Sequence, residues 1–311
     1  MGRGKLKRLK VSAQVRLSIC IPVYNSLIES FIIELVRQTK EVNEPVQVVV
    51  LDDHSDLEYA QINQSLATHC NYFYLPENIG RSRIRNLFLE HTSGEYLLFI
   101  DGDSEVIDPL FIQKYLEFIQ ENAPQVIVGA SIYQAQTPDR EHLLRWKYSC
   151  KRESKNAEER KRSPGGFKTN NFVIERTLFQ EIQFNDELEG YGHEDTLFGL
   201  DLAKKNIPID HLENPVLNRH LDSNQVFLVK TQNAIKNLYR IYLNLEYTTE
   251  IQHIKLLKTV GFLKKYRLLN LIRFLFGLTE PICFFMLKNG FGHLKLFDFY
   301  KLGLFVRQIK V

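Results

Sequence analysis

Two acidic clusters dominate the chemistry this sequence can offer. Asp101-Gly102-Asp103 follows directly on the apolar run Leu97-Leu98-Phe99-Ile100, and Glu194-Asp195 follows the glycine-bearing stretch Gly190-Tyr191-Gly192-His193. An Asp-x-Asp at a strand end sets two carboxylates near one ion, and hard divalent cations take carboxylate oxygens. Gly102 between them admits close approach of a ligand or unusual backbone angles. A cation held there would act as a Lewis acid on phosphate oxygens. A carboxylate facing it could take the proton of a hydroxyl. Glu194 and Asp195 are adjacent at an expected helix start, so their side chains diverge and suit two roles, with Asp195 as base and Glu194 as a partner for hydroxyl groups. Each cluster also has a plainer reading. Acidic turns after strands are common, and carboxylates favour helix N-termini.

The elements that must position these groups follow from hydrophobic periodicity. Residues 17–23, 46–51, 72–75 and 96–100 read as strands, the first two as buried ones. Between them, 28–40, 57–69 and 81–91 read as helices. Such alternation predicts a parallel, doubly wound sheet, which binds ligands at the carboxyl ends of its strands. Asn25, Asp52, Asp53 and Asp101 all fall at that rim. Further along, the pattern predicts a helix over 111–120, a strand over 126–134 and a charged run over 151–163, with a mobile loop at Pro164-Gly165-Gly166. A strand at 172–174, a helix over 196–205, a strand over 211–216 running towards His220 and a helix over 225–247 complete this part.

Composition sets the outer limits. The chain has 311 residues, 44% hydrophobic and 25% charged, which is ordinary for a folded protein. The formal net charge of +3 is unevenly spread: five bases and no acid lie in the first ten residues, and eleven bases with two acids in residues 255–311. Basic ends around an acidic middle suggest a catalytic body docked on an anionic surface. Cys20, Cys70, Cys150 and Cys283 form no Cys-x-x-Cys pair, which argues against a zinc ribbon and for a reducing compartment. The N-terminal bases are not followed by a continuous apolar segment, so the expectation is a cytoplasmic protein, peripheral on the cytosolic face of a membrane. Within the tail, 268–287 is strongly apolar but carries Arg273, Glu280 and Pro281. A surface-lying amphipathic hairpin is expected there rather than a full span, with a helical extension packed on the catalytic body as the alternative.

The order of the motifs resembles the family 2 glycosyltransferases of GT-A fold. Ile21-Pro22-Val23-Tyr24-Asn25 is similar to the family's opening strand and turn. Val50-Leu51-Asp52-Asp53-His54-Ser55 is similar to its nucleoside-binding motif, with His54 where the family usually has glycine. Glu77-Asn78-Ile79-Gly80 with Arg83, Arg85 and Asn86 resembles the segment under the nucleotide, and Asp101-Gly102-Asp103 the metal motif. Gly190 to Asp195 and Asn218-Arg219-His220 resemble the catalytic motif and late metal ligand of the galactosyltransferase and chondroitin-polymerase branch. The likeness covers about residues 17–222.

The resemblance implies a Rossmann-like, mostly parallel mixed sheet flanked by helices, over 17–250. A basic tail (1–16) would precede it and a basic, aromatic helical extension (251–311) follow it. It implies an inverting transfer of a sugar from a nucleoside-diphosphate donor, UDP by expectation, to a hydroxyl on a glycan or lipid-linked acceptor, with Mn2+ or Mg2+ as cofactor. Asp103 and His220, with Asp101, would hold the metal. Pro22, Tyr24, Asn25, Asp53, Asn78, Arg83, Asp101, Asn170 and Asn171 would meet the donor, and Asp195 would be the base. Arg83 and Arg85 suit a diphosphate, and Asn170 and Asn171 sugar hydroxyls, although solvated faces and turns use the same residues. Trp146 suits core packing more than stacking on a sugar. Two competing functions are a sugar nucleotidyltransferase and a non-catalytic nucleotide-sugar or membrane module. The first would want a glycine-rich basic loop where Tyr24-Asn25-Ser26 stands. No nucleic-acid recognition motif occurs.

Overall fold

The computed structural model describes residues 15–162, 167–186, 190–244, 247, 251 and 254–309. The basic cluster of the first ten residues, the Pro164-Gly165-Gly166 loop and residues 187–189 lie outside them. In chain order the first half runs β1 (Leu17–Val23), α1 (Glu29–Thr39), β2 (Val46–Asp52), α2 (Leu57–Gln64), β3 (Asn71–Tyr74), α3 (Arg81–His91), β4 (Tyr96–Ile100), β5 (Ser104–Val106) and α4 (Phe111–Asn122). There follow β6 (Val126–Val128), β7 (Ser131–Tyr133), α5 (Leu143–Tyr148), α6 (Ala157–Lys161), β8 (Asn171–Glu175), α7 (Arg176–Glu181), α8 (Glu194–Lys204), β9 (Asp210–His211), β10 (Val216–Asn218) and α9 (Asn224–Leu243). Three helices close the described chain: α10 (Lys255–Lys265), α11 (Leu269–Lys288) and α12 (Leu294–Gln308).

Seven strands form the main sheet in the order β3-β2-β1-β4-β8-β6-β9. The first four are parallel, β8 runs antiparallel to both its neighbours, and β9 is parallel to β6. The expected mostly parallel mixed sheet is therefore the architecture found. Alternate residues of the central strands enter two different cores. Ile19, Ile21, Val48, Val50, Leu98 and Ile100 pack with α1 and α4 on one face. Cys20, Val49, Leu51, Leu97 and Phe99 pack with α3, α7 and α8 on the other. Burial on both faces is why these strands read as unbroken apolar runs rather than alternating ones.

Two sequence expectations are corrected. The single strand expected over 126–134 is two strands in two sheets, and so is the one expected over 211–216. β6 and β9 belong to the main sheet, whereas β7 and β10 join β5 in a three-stranded sheet of order β5-β10-β7. Both segments cross between the sheets at one place, and Asn171 stitches them there. Its fully buried amide donates to Ala130 O at 2.9 Å and to Asn214 O at 2.8 Å, while its Oδ1 accepts from the Tyr115 hydroxyl at 2.6 Å. Gly129-Ala130 and Asn214-Pro215 break the two strands at the crossing, since proline donates no ladder hydrogen bond. The small sheet bears directly on the acidic turn, because β5 begins immediately after Asp103 and β10 ends shortly before His220.

The tail is packed on the body. α12 contacts α9 and α11, and Phe305 and Val306 share a core with Leu197 and Leu200 of α8 and with Ile235, Leu238 and Ile241 of α9. That core crosses the boundary drawn at residue 250 from the sequence. Pro281 does not end α11, which runs through it for 20 residues. By length and composition α11 is apolar enough to cross a membrane.

Candidate active site

The carboxyl ends of β1, β2 and β4 open into a cleft of about 720 Å³. Its walls come from the β1 tip (Pro22, Val23, Tyr24), Asp53, the Asn78–Gly80 loop, the first turns of α3, the Asp101–Asp103 turn, and the Gly190–Glu194 segment. Residues that the sequence places far apart are brought together by the sheet register. Ile21 pairs with Val50, and Asp53 N donates to Val23 O at 2.8 Å, so the β1 and β2 tips end level.

Asp52 and Asp53 divide the work at the β2 tip. Asp52 is buried and structural: its carboxylate accepts from Ser55 N at 2.8 Å and the Tyr72 hydroxyl at 2.6 Å. Asp53 faces the cleft. Its oxygens accept from Ile79 N at 2.7 Å and Gly80 N at 3.0 Å, and Asn78 Nδ2 donates to Asp53 O at 2.9 Å. Burial raises the Asp53 carboxyl, and the two amides draw it back. Asp53 thus fixes the loop that begins α3. His54 has φ +63°, the left-handed conformation that explains glycine as the usual occupant. The imidazole Nδ1 lies 3.1 Å from Leu75 O and the ring stands 5.4 Å from Tyr74.

The N-terminus of α3 points into the cleft, with Gly80, Arg81, Ser82 and Arg83 lining it. Free amides at a helix start and the helix dipole make a ready anion site. Arg81 adds a guanidinium 4.7 Å from the Tyr191 ring centroid and 3.6 Å from Glu194. Sequence reasoning named Arg83 and Arg85 but missed Arg81, the first helical residue; its place immediately after Gly80 was the available signal. Arg83 stays at the exposed edge, 3.4 Å from Asp186. Arg85 also borders the cleft but is 2% exposed; it donates to Asp101 Oδ1 at 2.7 Å and to Arg81 O at 2.9 Å. Its function is to hold Asp101.

Asp103 sits differently. Burial and the neighbouring Asp101 carboxylate raise its carboxyl, while Arg81 and His220 act in the opposite sense. It makes no ion pair within 4.0 Å among the described residues, and Arg219 N donates to Asp103 O at 3.3 Å, which brings the exposed His220 alongside. The close approach that Gly102 permits is to protein, because a Cβ there would lie 3.0 Å from Val23 Cγ2 and 3.1 Å from Pro22 O. Among the described residues no three His, Cys, Asp or Glu side chains converge on one point. The set nonetheless fits a hard divalent cation: one exposed carboxylate with no ion pair among the described residues, a second carboxylate anchored by arginine, and an imidazole whose charge acts on Asp103. Such a cation would keep places for phosphate oxygens and water.

Across the cleft, Glu194 and Asp195 open α8 and diverge. Glu194 lines the cleft. Asp195 does not; its Oδ2 accepts from Lys168 Nζ at 2.7 Å and its Oδ1 from Thr196 N at 2.7 Å. Burial alone would raise the Asp195 carboxyl, but the Lys168 ammonium, with His193 and the Thr196 amide, holds it below the usual carboxylate range. His193 caps the helix at φ +70°, and burial pushes its imidazole down to about 4. Gly192 allows this entry. Its φ is +98°, and a Cβ would stand 2.6 Å from Ala234 Cβ on α9. Asn237 of α9 donates to Gly192 O at 3.0 Å.

Several expected donor contacts are not brought to the cleft. Asn25 pairs reciprocally with Asp56, through Nδ2 to Oδ2 at 3.0 Å and through Asp56 N to Oδ1 at 2.8 Å. Asn171 is consumed at the sheet crossing, and Asn170 meets the turn through its carbonyl, which accepts from Asp101 N at 3.3 Å. Trp146 Nε1 donates to Gln134 O at 2.8 Å beside the exposed surface, rather than packing in the core as expected.

Several known proteins are similar to this chain. The family model for glycosyl transferase family 2 matches residues 18–183, just over half of the chain. A poly(ribitol-phosphate) beta-glucosyltransferase from Bacillus spizizenii is 31% identical over 121 residues, 37% of this chain and 19% of that protein. An uncharacterized glycosyltransferase from Haemophilus influenzae is 26% identical over 111 residues, 34% of this chain and 43% of that protein. The matches thus span less than half the length of either relative. Among solved structures, a mannosyltransferase from Pyrobaculum calidifontis, in complex with GDP-Man and Mn2+, is similar in fold, with a TM-score of 0.54 and 16% identity over 78% of this chain and 68% of that one.

Proposed function

The chain belongs to glycosyl transferase family 2, and on that premise we propose that it transfers a hexosyl group, with inversion, from a UDP-sugar to a hydroxyl of a glycan or lipid-linked acceptor. The observation that carries this reading is the cleft itself. An anion-binding helix start with Arg81 and Arg83 adjoins Asp103 on one side, and Glu194 lines the other, with Asp195 next to it in the chain and held by Lys168. Its volume suits a ligand of nucleotide-sugar size. The glucosyltransferase name of the Bacillus relative supports a hexosyl donor. The carboxylate pair after a glycine-bearing segment supports the galactosyltransferase and chondroitin-polymerase branch.

In this mechanism the α3 amides, Arg81 and Arg83 bind the diphosphate and stabilise the charge it gains as leaving group. Mn2+ or Mg2+ held by Asp103 and His220, with Asp101 oriented by Arg85, would supply Lewis-acid charge on the phosphate oxygens. Asp195 takes the proton of the acceptor hydroxyl. The acceptor oxygen bonds to the anomeric carbon as the bond from that carbon to the phosphate oxygen breaks, which inverts the configuration in one displacement. Glu194, adjoining Arg81, holds hydroxyls of donor or acceptor. Lys168 keeps Asp195 ionised and in place.

A panel of nucleotide sugars with Mn2+, scored for donor hydrolysis and for titration-calorimetric binding, tests this reading. Turnover with one UDP-sugar is expected, with Asp195→Asn losing it but keeping donor binding, and Asp103→Asn losing metal-dependent binding. Absence of binding and turnover with every donor would overturn it. The anomeric configuration of the product, read by NMR, decides inversion.

A further inference from the structure

We propose that the outer face of α11 lies in the interfacial plane of an anionic membrane and docks the protein there. Leu271, Phe274, Leu278, Ile282 and Phe285 are each more than half exposed. Their spacing of three, four, four and three residues puts them in one stripe. Phe262 of α10 and Phe291, just after α11, are also more than half exposed. Isolated apolar residues on a surface are ordinary, but a continuous stripe about 20 Å long marks an interaction face.

Charge identifies the occupant. Lys264, Lys265 and Arg267 stand exposed before α11, and Lys288 at its end, none of them ion-paired to a carboxylate among the described residues. The one acid within α11, Glu280, is neutralised by Arg307, with Nη1 to Oε1 at 3.1 Å. Bases at both ends of an apolar stripe suit anionic head groups above an acyl boundary. They do not suit a second copy of this chain, whose own bases would meet them.

The helix lies in the plane rather than crossing it. Its inner side buries Phe276, Cys283 and Leu287 in a core with Leu228 of α9 and with Phe297 and Tyr300 of α12. Arg273 donates to Val306 O at 3.2 Å and to Ile309 O at 2.6 Å. Insertion across a bilayer would break these contacts with the body. The stripe can reach lipid without disturbing any of them.

The test is co-sedimentation of the full chain with phosphatidylcholine vesicles, with and without about a third phosphatidylglycerol. Thermal unfolding of each variant confirms that it is folded. The wild-type protein is expected to pellet with the anionic vesicles far more than with the neutral ones. The Phe274→Glu/Leu278→Glu variant should lose binding on the order of 100-fold, and Lys264→Gln/Lys265→Gln roughly 30-fold. Retention of the apolar variant on anionic vesicles at the wild-type level would overturn the proposal. So would resistance of the bound protein to alkaline extraction, the behaviour of a spanning helix. A wild-type dimer in sedimentation equilibrium that Phe274→Glu/Leu278→Glu dissolves, without vesicle binding, would instead assign the face to a second copy.

Discussion

Lys168 alters what Asp195 can be. A carboxylate with an ammonium 2.7 Å away stays ionised well into acid. Removing the ammonium leaves burial to raise the carboxyl. Lys168→Met is therefore expected to move the acid limb of the kcat/KM profile to higher pH, and Lys168→Arg to restore it. An unmoved limb in the methionine variant would take Asp195 out of the proton transfer and leave Glu194, which faces the cleft, as the group to examine. At this scale the sequence made residue types legible and directions illegible. Asp101, Asp103, Glu194 and Asp195 stand out as acids at strand and helix ends. That Arg85 turns inward to Asp101, or that Asn171 spends its whole amide on Ala130, Asn214 and Tyr115, depends on contacts made by segments distant in the chain.

Between elements, the segment from Gly190 to Asp195 depends on α9. Gly192 passes against Ala234 with φ +98°, and Asn237 holds its carbonyl. Gly192→Ala meets both the conformational penalty and the contact, a cost of about 1 to 3 kcal/mol. A fall in melting temperature on the order of 5 °C is expected. Adding Ala234→Gly removes the contact but not the penalty, so the double variant should recover part of the loss even though glycine weakens α9 by about 1 kcal/mol. Strict additivity of the two substitutions would show that the approach to Ala234 has no energetic weight. Elements with strong periodicity were legible: α3 and β4 have the boundaries their patterns predict. The sheet switches were not, because three-residue strands such as β6, β7 and β10 carry too few residues for a period to show.

For the molecule as a whole, the tail is part of the fold that supports the site. Truncation before Lys255 uncovers Leu228, Ile235, Leu238 and Ile241, each at most 3% exposed in the intact chain. At about 1.5 to 3 kcal/mol per buried side chain, their exposure outweighs ordinary net stability once several are counted. The truncated chain is expected to aggregate, read as loss of the soluble monomer in size-exclusion chromatography. A well-folded truncated monomer with an unchanged melting temperature would show that the tail is an appendage. Composition made the basic and aromatic character of the tail plain. Its division into an inner helix and one with an open face needed the packing partners.

The shared core of α8, α9 and α12 also has a consequence in time. Leu197 and Leu200 meet Phe305 and Val306 about a hundred positions along the chain, whereas β1 and β2 pair across a short helical crossover. Closing the longer loop costs more entropy, and contacts of high sequence separation form late. Refolding from denaturant should therefore regain far-ultraviolet ellipticity before it regains nucleotide binding, with the interval set by arrival of α12 beneath the helix that anchors Gly192. Simultaneous recovery of the two signals would mean that the sheet and the catalytic rim assemble in one step.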